Sequence, residues 1–468
     1  MRYSSQREKY QNWDFGVIII VTILLIMGLI NLYSAAYSAD HPNIFDIKTL
    51  YGKQIMWIGI GLFLGIVISL IDAKHIRKLT PTFFIFVTIL LIVVLFTEPI
   101  KGAKSWLGIG SFGVQPSEFS KLTTALMLGY VIDSGSRRTI TKSAFFTSLT
   151  VVIVTMLLIL AQNDTGTFLV FTAFFFVMYR EGITFDPIVL FFTNNILKLR
   201  FKQTWVGTHF IPVLFVVIVF SIIILYFTDS KYDFLFLPGY DVPGWFVLIF
   251  GMTVVAVLIF MIAKYFASPR TKKKVKPIIL VIYLISVGFV GLVSYSYLNV
   301  LQVHQKDRID LWLGKIQDQD GKDYNRNRAL AAVGSGGFSG VGYQNAILSS
   351  PRSKHVPESE TDFVFSVFSE EWGFLGAATL VILVSLLLVR IIFIAERQKS
   401  RFSRIYAYSV AMILFYHFGV NVGMNIGLIP VIGIPLPFFS YGGSAMMTFL
   451  IMILLLLKLD SSRKEFLA

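Results

Sequence analysis

The chain has 468 residues, 55% of them hydrophobic and only 15% charged, a net charge of +14 and no cysteine. The missing cysteine excludes disulfides, thiolate metal sites and a cysteine nucleophile. Apolar windows of about 20 residues, each long enough to cross a hydrocarbon core of about 30 Å, recur along the chain and exclude an ordinary soluble domain. The predicted fold class is all-α, a polytopic helical membrane protein.

Taken in chain order, the first window, "FGVIIIVTILLIMGLINLYSA", is long enough to be a span rather than the short apolar core of a cleaved signal peptide. Spans are predicted near 15–35, 54–71, 80–97, 119–132, 144–161, 166–179, 210–227, 244–263, 277–297, 363–389, 405–428 and 441–457, about twelve in all. With the N-terminus placed inside, the lysine and arginine excess falls on the cytoplasmic segments, most strongly "SPRTKKKVKP" (268–277) and "RQKSRFSR" (397–404). These runs read as topology signals and as contacts for anionic membrane lipid, not as a nucleic-acid surface. Both termini are then cytoplasmic, and the long hydrophilic segment 298–361 is an extracytoplasmic loop. The whole of 1–468 reads as one membrane domain. No internal repeat is evident, which weakens an inverted-repeat transporter.

Four outer segments carry the polar chemistry. "EPIKGAKSWLGIGSFGVQPSEFSKL" (98–122) is glycine-rich and amphipathic, and its Glu118 and Lys121 share a helical face at i, i+3, where they can pair or line an anion site. "QNDTGT" (162–167) is a tight turn in which Asp164 is either a turn residue or part of a pocket. Segment 304–362 is long and mixed in charge. Its "GSGGFSGVG" run (334–342) has glycine spacing compatible with phosphate cradling, a weak signal by itself. His304, Arg308, Arg326 and Arg328, together with Lys104, offer outer cations. "GLIPVIGIPLPFFSYGGSA" (427–445) has Pro430, Pro435 and Pro437, which cannot continue a helix. Non-helical backbone at membrane depth has to be buried in protein or line a wet cavity, so this segment is expected to fold back into the bundle.

Asp362 opens a span. It reads either as a helix cap, accepting free N–H groups and favouring the dipole, or as a general base at the outer face. Glu358 and Glu360 read as solvated loop charges. Glu370 and Glu371 lie about two turns deeper, where a charge needs a partner or a wet cavity. There is no HExxH, no Walker A sequence and no nucleophile elbow. The residues alone describe an outward pocket of acids, cations and glycine loops, suited to an amphiphile with an anionic head; a transporter and a noncatalytic scaffold are the alternatives.

The motifs "GAKSWLGIG", "VQPSEFSKL", "QNDTGT", "HQKDRI", "AAVGSGGFSGVGY", "PESETDFVFSVFSEEWGFLG" and "NVGMNIGLIPVIGIPLPFFSYGGSA", in this order, resemble the shape, elongation, division and sporulation (SEDS) family. "GIPLP" is closer to its elongation branch than to its division branch. The resemblance implies a ten-span core, so the two surplus spans, within 183–267 where the resemblance lapses, are expected to form an inserted helical hairpin. It implies a peptidoglycan glycosyltransferase that polymerises lipid II, an undecaprenyl-diphosphate-linked disaccharide-pentapeptide, alongside a class B penicillin-binding protein and the elongation machinery. A lipid II flippase or a division-specific polymerase are the alternatives. The family's essential acid falls on Asp362 and its paired Glu and Lys on Glu118 and Lys121. Lys104, Trp106, Asp164, His304, Arg308, Ser440, Gly442 and Gly443 are expected in the pocket. No cofactor is required, and a divalent cation, Mg or Mn, is compatible. Ser105 replaces the family's arginine before Trp106, with Lys104 as substitute charge; Asn163 and Val303 stand where the family has proline.

Overall fold

The computed structural model describes residues 13–37, 40–41, 43–100, 102–109, 112–134, 142–196, 202–233, 241–266, 269–316, 324–349 and 356–463. It is all-helical apart from two short hairpins. The chain divides into two compact units, one made of 1–187 with 324–468, the other of 188–323.

The first unit holds α1 (Phe15–Ala35), α2 (Leu50–Leu70), α3 (Ala73–Val93), the hairpin β1 (Leu107–Ile109) and β2 (Phe112–Val114), α4 (Pro116–Ser134), α5 (Lys142–Ala161), α6 (Thr165–Phe171), α7 (Ala173–Arg180), then α12 (Tyr324–Ser335), α13 (Val364–Glu396), α14 (Arg401–Asn425) and α15 (Gly443–Ser461). The second holds α8 (Phe210–Thr228), the hairpin β3 (Lys231–Asp233) and β4 (Asp241–Pro243), α9 (Gly244–Phe266), α10 (Pro269–Tyr295) and α11 (Val303–Trp312). The segment expected as one loop, 298–361, therefore contains α11 and α12.

Ten helices among the described residues are long and apolar enough to cross a membrane, and the protein is a multi-pass membrane protein. The other two predicted spans fall short of that criterion. Segment 119–132 is the helix α4, but its face is polar and almost wholly buried, including Glu118, Lys121, Thr123 and Thr124. Segment 166–179 is broken at Thr172 into α6 and α7. Both are surrounded by protein, and a helix that does not meet lipid need not be apolar.

Burial orders the first unit. α15 is 89% buried and α14 67%, against 22% for α2 and α3, so α14 and α15 are the centre and the others wrap them. α2 lies directly on α15: a Cβ at Gly61 would sit 3.1 Å from Met447 Cα, and one at Gly65 would sit 2.3 Å from the Leu454 side chain. Small residues at i, i+4 let two membrane helices meet where no hydrophobic drive separates them from lipid.

One end of this unit is closed by ion pairs. Asp14 bonds Arg390 at 2.9 Å and Arg397 at 3.1 Å; Arg397 also pairs with Asp460, and Arg404 with Glu181 at 2.7 Å. Burial pushes the Asp14 carboxyl up, but hydrogen bonds from Arg390 and the Val17 N–H, with the charges of Arg390 and Arg397, hold it below the usual carboxylate range. The pairs join the start of α1, the ends of α7, α13 and α15 and the start of α14. The candidate site lies at the opposite end, where α4, α6, α13 and α15 begin.

In the second unit, Tyr297 donates to Asp310 Oδ1 at 2.5 Å and Lys315 Nζ to the Leu225 carbonyl at 2.7 Å. These bonds fasten the α11 region to α8 and to the end of α10.

Candidate active site

The segment between Asn425 and Gly443 is non-helical, as its prolines predict, and it folds back among the helix ends. Gly427 and Gly433 take φ +76° and +82°, values that L-residues avoid. Ile434, Leu436, Phe438, Phe439 and Ser440 are buried. The "VQPSEFSKL", "QNDTGT" and "PESETDF" motifs meet around this segment.

Asp362 lies one residue before the N-cap of α13. That cap is Phe363, which makes no side-chain cap bond. The main chain of Asp362 is tightly held: its carbonyl accepts from Asn421 Nδ2 at 3.0 Å and Asn425 Nδ2 at 3.1 Å. Asp362 is half-buried, and its carboxylate faces Gly433, where a Cβ would lie 3.2 Å from Oδ2. The two residues before Asp362 are bound to the same segment. Ser440 Oγ donates to the Thr361 carbonyl at 2.6 Å, and the Tyr441 N–H to the Glu360 carbonyl at 2.9 Å. Burial pushes the Tyr441 phenol up, keeping it neutral. Gln54 on α2 grips the far side, donating to the Ser440 carbonyl at 3.0 Å and accepting from the Gly442 N–H at 3.3 Å. Gly443 lies against Trp57, whose ring atoms would be 2.6 Å from a Cβ. The polar groups of Ser440 and Gly442 thus bind protein partners, and Gly443 is required by contact.

Glu118 and Lys121 do pair, at 2.7 Å and nearly without exposure. Lys121 Nζ also lies 2.8 Å from His417 Nε2, and His417 Nδ1 lies 3.1 Å from the Pro435 carbonyl. A carbonyl can only accept, so Nδ1 carries the proton, the imidazole is neutral and Nε2 receives a lysine proton. The Phe449 ring lies beside this pair, 5.4 Å from Lys121 Nζ. Asp164 caps α6 through the Thr167 N–H at 3.0 Å, and its other oxygen accepts from Gln115 at 2.8 Å and Ser117 at 3.0 Å. It therefore binds the "QNDTGT" turn to the start of α4. In that turn a Cβ at Gly166 would lie 3.2 Å from the Gly433 carbonyl.

Lys104 is exposed, with its N–H on the Gln162 carbonyl at 3.0 Å. Trp106 is 38% exposed and its ring covers Gly113 in the β1–β2 hairpin. Arg328 stacks on Tyr324 within α12. His304 and Arg308 belong to α11 in the other unit. Among the described residues no three His, Asp or Glu side chains gather as a metal cluster.

The "GSGGFSGVG" run does not form an anion cradle. α13 is kinked at Gly373 (φ +62°, ψ −162°), and the run is laid into that kink. Its Val341 and Gly342 N–H groups bond the Glu370 and Glu371 carbonyls at 3.0 Å each, and Phe374 N–H returns to Gly337 at 2.9 Å. A Cβ at Gly336 or Gly340 would lie 2.1 Å from a carbonyl oxygen of α13. Glu370 and Glu371 have the partners that their depth demands. Glu370 accepts from the Ile347, Leu348 and Ser349 N–H groups at 2.8–2.9 Å, and Glu371 from Ser34 and from the Gln344 N–H.

A sequence model of the FtsW/RodA/SpoVE family, described as "Cell cycle protein", matches residues 15–201 and 249–465. The chain belongs to the FtsW/RodA/SpoVE family. It is 29% identical to the peptidoglycan glycosyltransferase RodA of Treponema pallidum, with 96% of this chain and 98% of that protein aligned. It is 26% identical to the stage V sporulation protein E of Bacillus subtilis over 96% of each. Its fold is that of a chain in a structure described as coordinating polymerization and crosslinking in a peptidoglycan synthase complex, with TM-score 0.58 at 21% identity over 96% of this chain and 98% of that one. For this family member, sequence reasoning missed three residues: His417, Asn421 and Asn425. The signal was present as polar residues at i, i+4, i+8 in the C-terminal half of α14, where the other residues are apolar or small.

Proposed function

We propose that the protein is a peptidoglycan glycosyltransferase that joins lipid II units into glycan strands, with Asp362 as its general base. The observation that carries this reading is the setting of Asp362 in a family member of this length of match: a half-buried aspartate whose main chain is clamped by two buried amides and whose carboxylate faces Gly433. A rigid backbone that fixes where the carboxylate lies is what a general base needs.

Asp362 takes the proton of the acceptor sugar's C4 hydroxyl. That oxygen forms a bond to the donor's anomeric carbon as the bond from that carbon to the diphosphate oxygen breaks. The electron pair leaves with undecaprenyl diphosphate. Attack opposite the leaving group turns an α-linked donor into a β-1,4 bond. The leaving diphosphate already stabilises its charge, so one base suffices, and the exposed Lys104 is the candidate counter-charge. A magnesium or manganese ion at this step would take its ligands chiefly from the diphosphate itself. Glu118 and Lys121 act by holding the pocket through His417 rather than by touching the reacting atoms.

Chemistry at an outer face, with the termini in the cytoplasm, follows from the positive-inside bias. "GIPLP" and the likeness to a RodA support a role in elongation, and the likeness to a synthase complex supports a class B transpeptidase as partner. Purified protein with such a transpeptidase, given labelled lipid II and a divalent cation, should yield glycan ladders. Transbilayer movement of lipid II without ladders would replace this reading by a flippase.

A further inference from the structure

His417, Asn421 and Asn425 stand at i, i+4, i+8 on α14, with relative exposures of 1%, 0% and 0%. They form a polar stripe about 12 Å long by helix rise. Three polar side chains in the core of a membrane bundle are costly unless each is satisfied, and here each is. Their partners are all parts of the site. His417 holds Lys121 and the Pro435 carbonyl. Asn421 Nδ2 bridges the carbonyls of Asp362, at 3.0 Å, and Ile434, at 2.8 Å. Both acceptors are carbonyls, so the amide orientation is fixed by chemistry.

Asn425 does something more specific. In a helix that included Asp362, the Ser366 N–H would bond the Asp362 carbonyl. Instead the Ser366 N–H is shared between the Phe363 carbonyl, at 3.1 Å in a tighter turn, and Asn425 Oδ1, at 3.1 Å, while Asn425 Nδ2 donates to the Asp362 carbonyl at 3.1 Å. Phe363 between them has φ −103°, ψ 24°, outside the helix. The amide is inserted where a backbone bond would otherwise close.

We propose that Asn425, assisted by Asn421, is a positioning residue that keeps Asp362 out of the first turn of α13 and so aims its carboxylate toward Gly433 and the reacting hydroxyl. This rests on the reading of Asp362 as base. Without the amide, the helix extends by one residue, the Asp362 carbonyl accepts directly from Ser366, and the carboxylate swings with the new backbone. The prediction separates positioning from structural support, because the extended helix replaces the lost bonds and the fold stays intact while the geometry does not.

The test measures kcat and KM for labelled lipid II with purified Asn425→Leu, Asn421→Leu and Asp362→Asn, each with its transpeptidase, and their melting temperatures. Asn425→Leu should lower kcat roughly 10–100-fold, the loss expected from about 1 Å of misplacement, with KM within about twofold and the melting temperature nearly unchanged. Asn421→Leu should shift kcat in the same direction. A wild-type kcat for Asn425→Leu, while Asp362→Asn is inactive, overturns the positioning role and leaves the base intact. Wild-type activity of Asp362→Asn overturns the base itself. If Asn425→Leu does not fold, Asn425→Ala is read in the same way. If neither folds, the amide is structural and the proposal fails.

Discussion

Replacing Lys121 by methionine tests how the buried pair contributes. The Lys121 side chain is 0% exposed and that of Glu118 5%, so Lys121→Met leaves a carboxylate in the protein interior without its cation. It also leaves the neutral His417 Nε2 without its donor. Breaking one partner of a buried ion pair costs about 3–5 kcal/mol, and the orphaned imidazole acceptor moves the loss toward the upper end. Glu118→Gln with Lys121→Met removes both charges and keeps similar volumes, so the double variant should be more stable than Lys121→Met alone. Melting temperatures in detergent of the wild type, both single variants and the double variant give the coupling. We expect Lys121→Met to lose several degrees and the double variant to recover part of that. Additive losses in the double variant would refute the idea that the two residues act as one buried pair.

Other perturbations reach different parts of the structure. Gly433→Ala places a methyl 3.2 Å from Asp362 Oδ2 at φ +82°; it should cost about 1–2 kcal/mol and lower the polymerisation rate well beyond that of a remote variant of equal stability. Gly340→Ala puts its Cβ 2.1 Å from the Glu371 carbonyl and should prevent recovery of folded protein. Gly334→Ala, with nothing within 4 Å, should melt within a few degrees of the wild type. Asp14→Asn should lower the melting temperature at neutral pH. Because the folded carboxyl lies below its ordinary value, its stabilisation is present above about pH 4 and is lost as pH falls through the lowered value. The gap between wild type and Asp14→Asn should therefore close only in acid below about pH 4.

The outer spans were legible because lipid selects for an uninterrupted apolar window, and α14 and α15, buried at the centre, are apolar enough to show the same signal. The 119–132 window was read as a span, but α4 falls short of that criterion, since its neighbours are α3, α5 and α14 rather than lipid. The break of the 166–179 segment at Thr172 left no proline or glycine to announce it. The "GSGGFSGVG" run was a weak signal because glycines that let a backbone approach an anion and glycines that let it approach a kinked helix look alike in one dimension. Pro430, Pro435 and Pro437 did announce a non-helical segment, and the depth of Glu370 and Glu371 did announce partners. What sequence could not supply was which groups meet. His417 lies nearly 300 residues from Lys121, and the amide of Asn425 gains its meaning only where α14 crosses the start of α13.

The central claim is that Asp362 is the base of a lipid II polymerase. The direct measurement incubates purified wild type and Asp362→Asn, each with its class B transpeptidase, with labelled lipid II and resolves the products by length. The account predicts glycan ladders from the wild type and none from Asp362→Asn, with equal melting temperatures for the two proteins. Ladders of equal yield from both would contradict it.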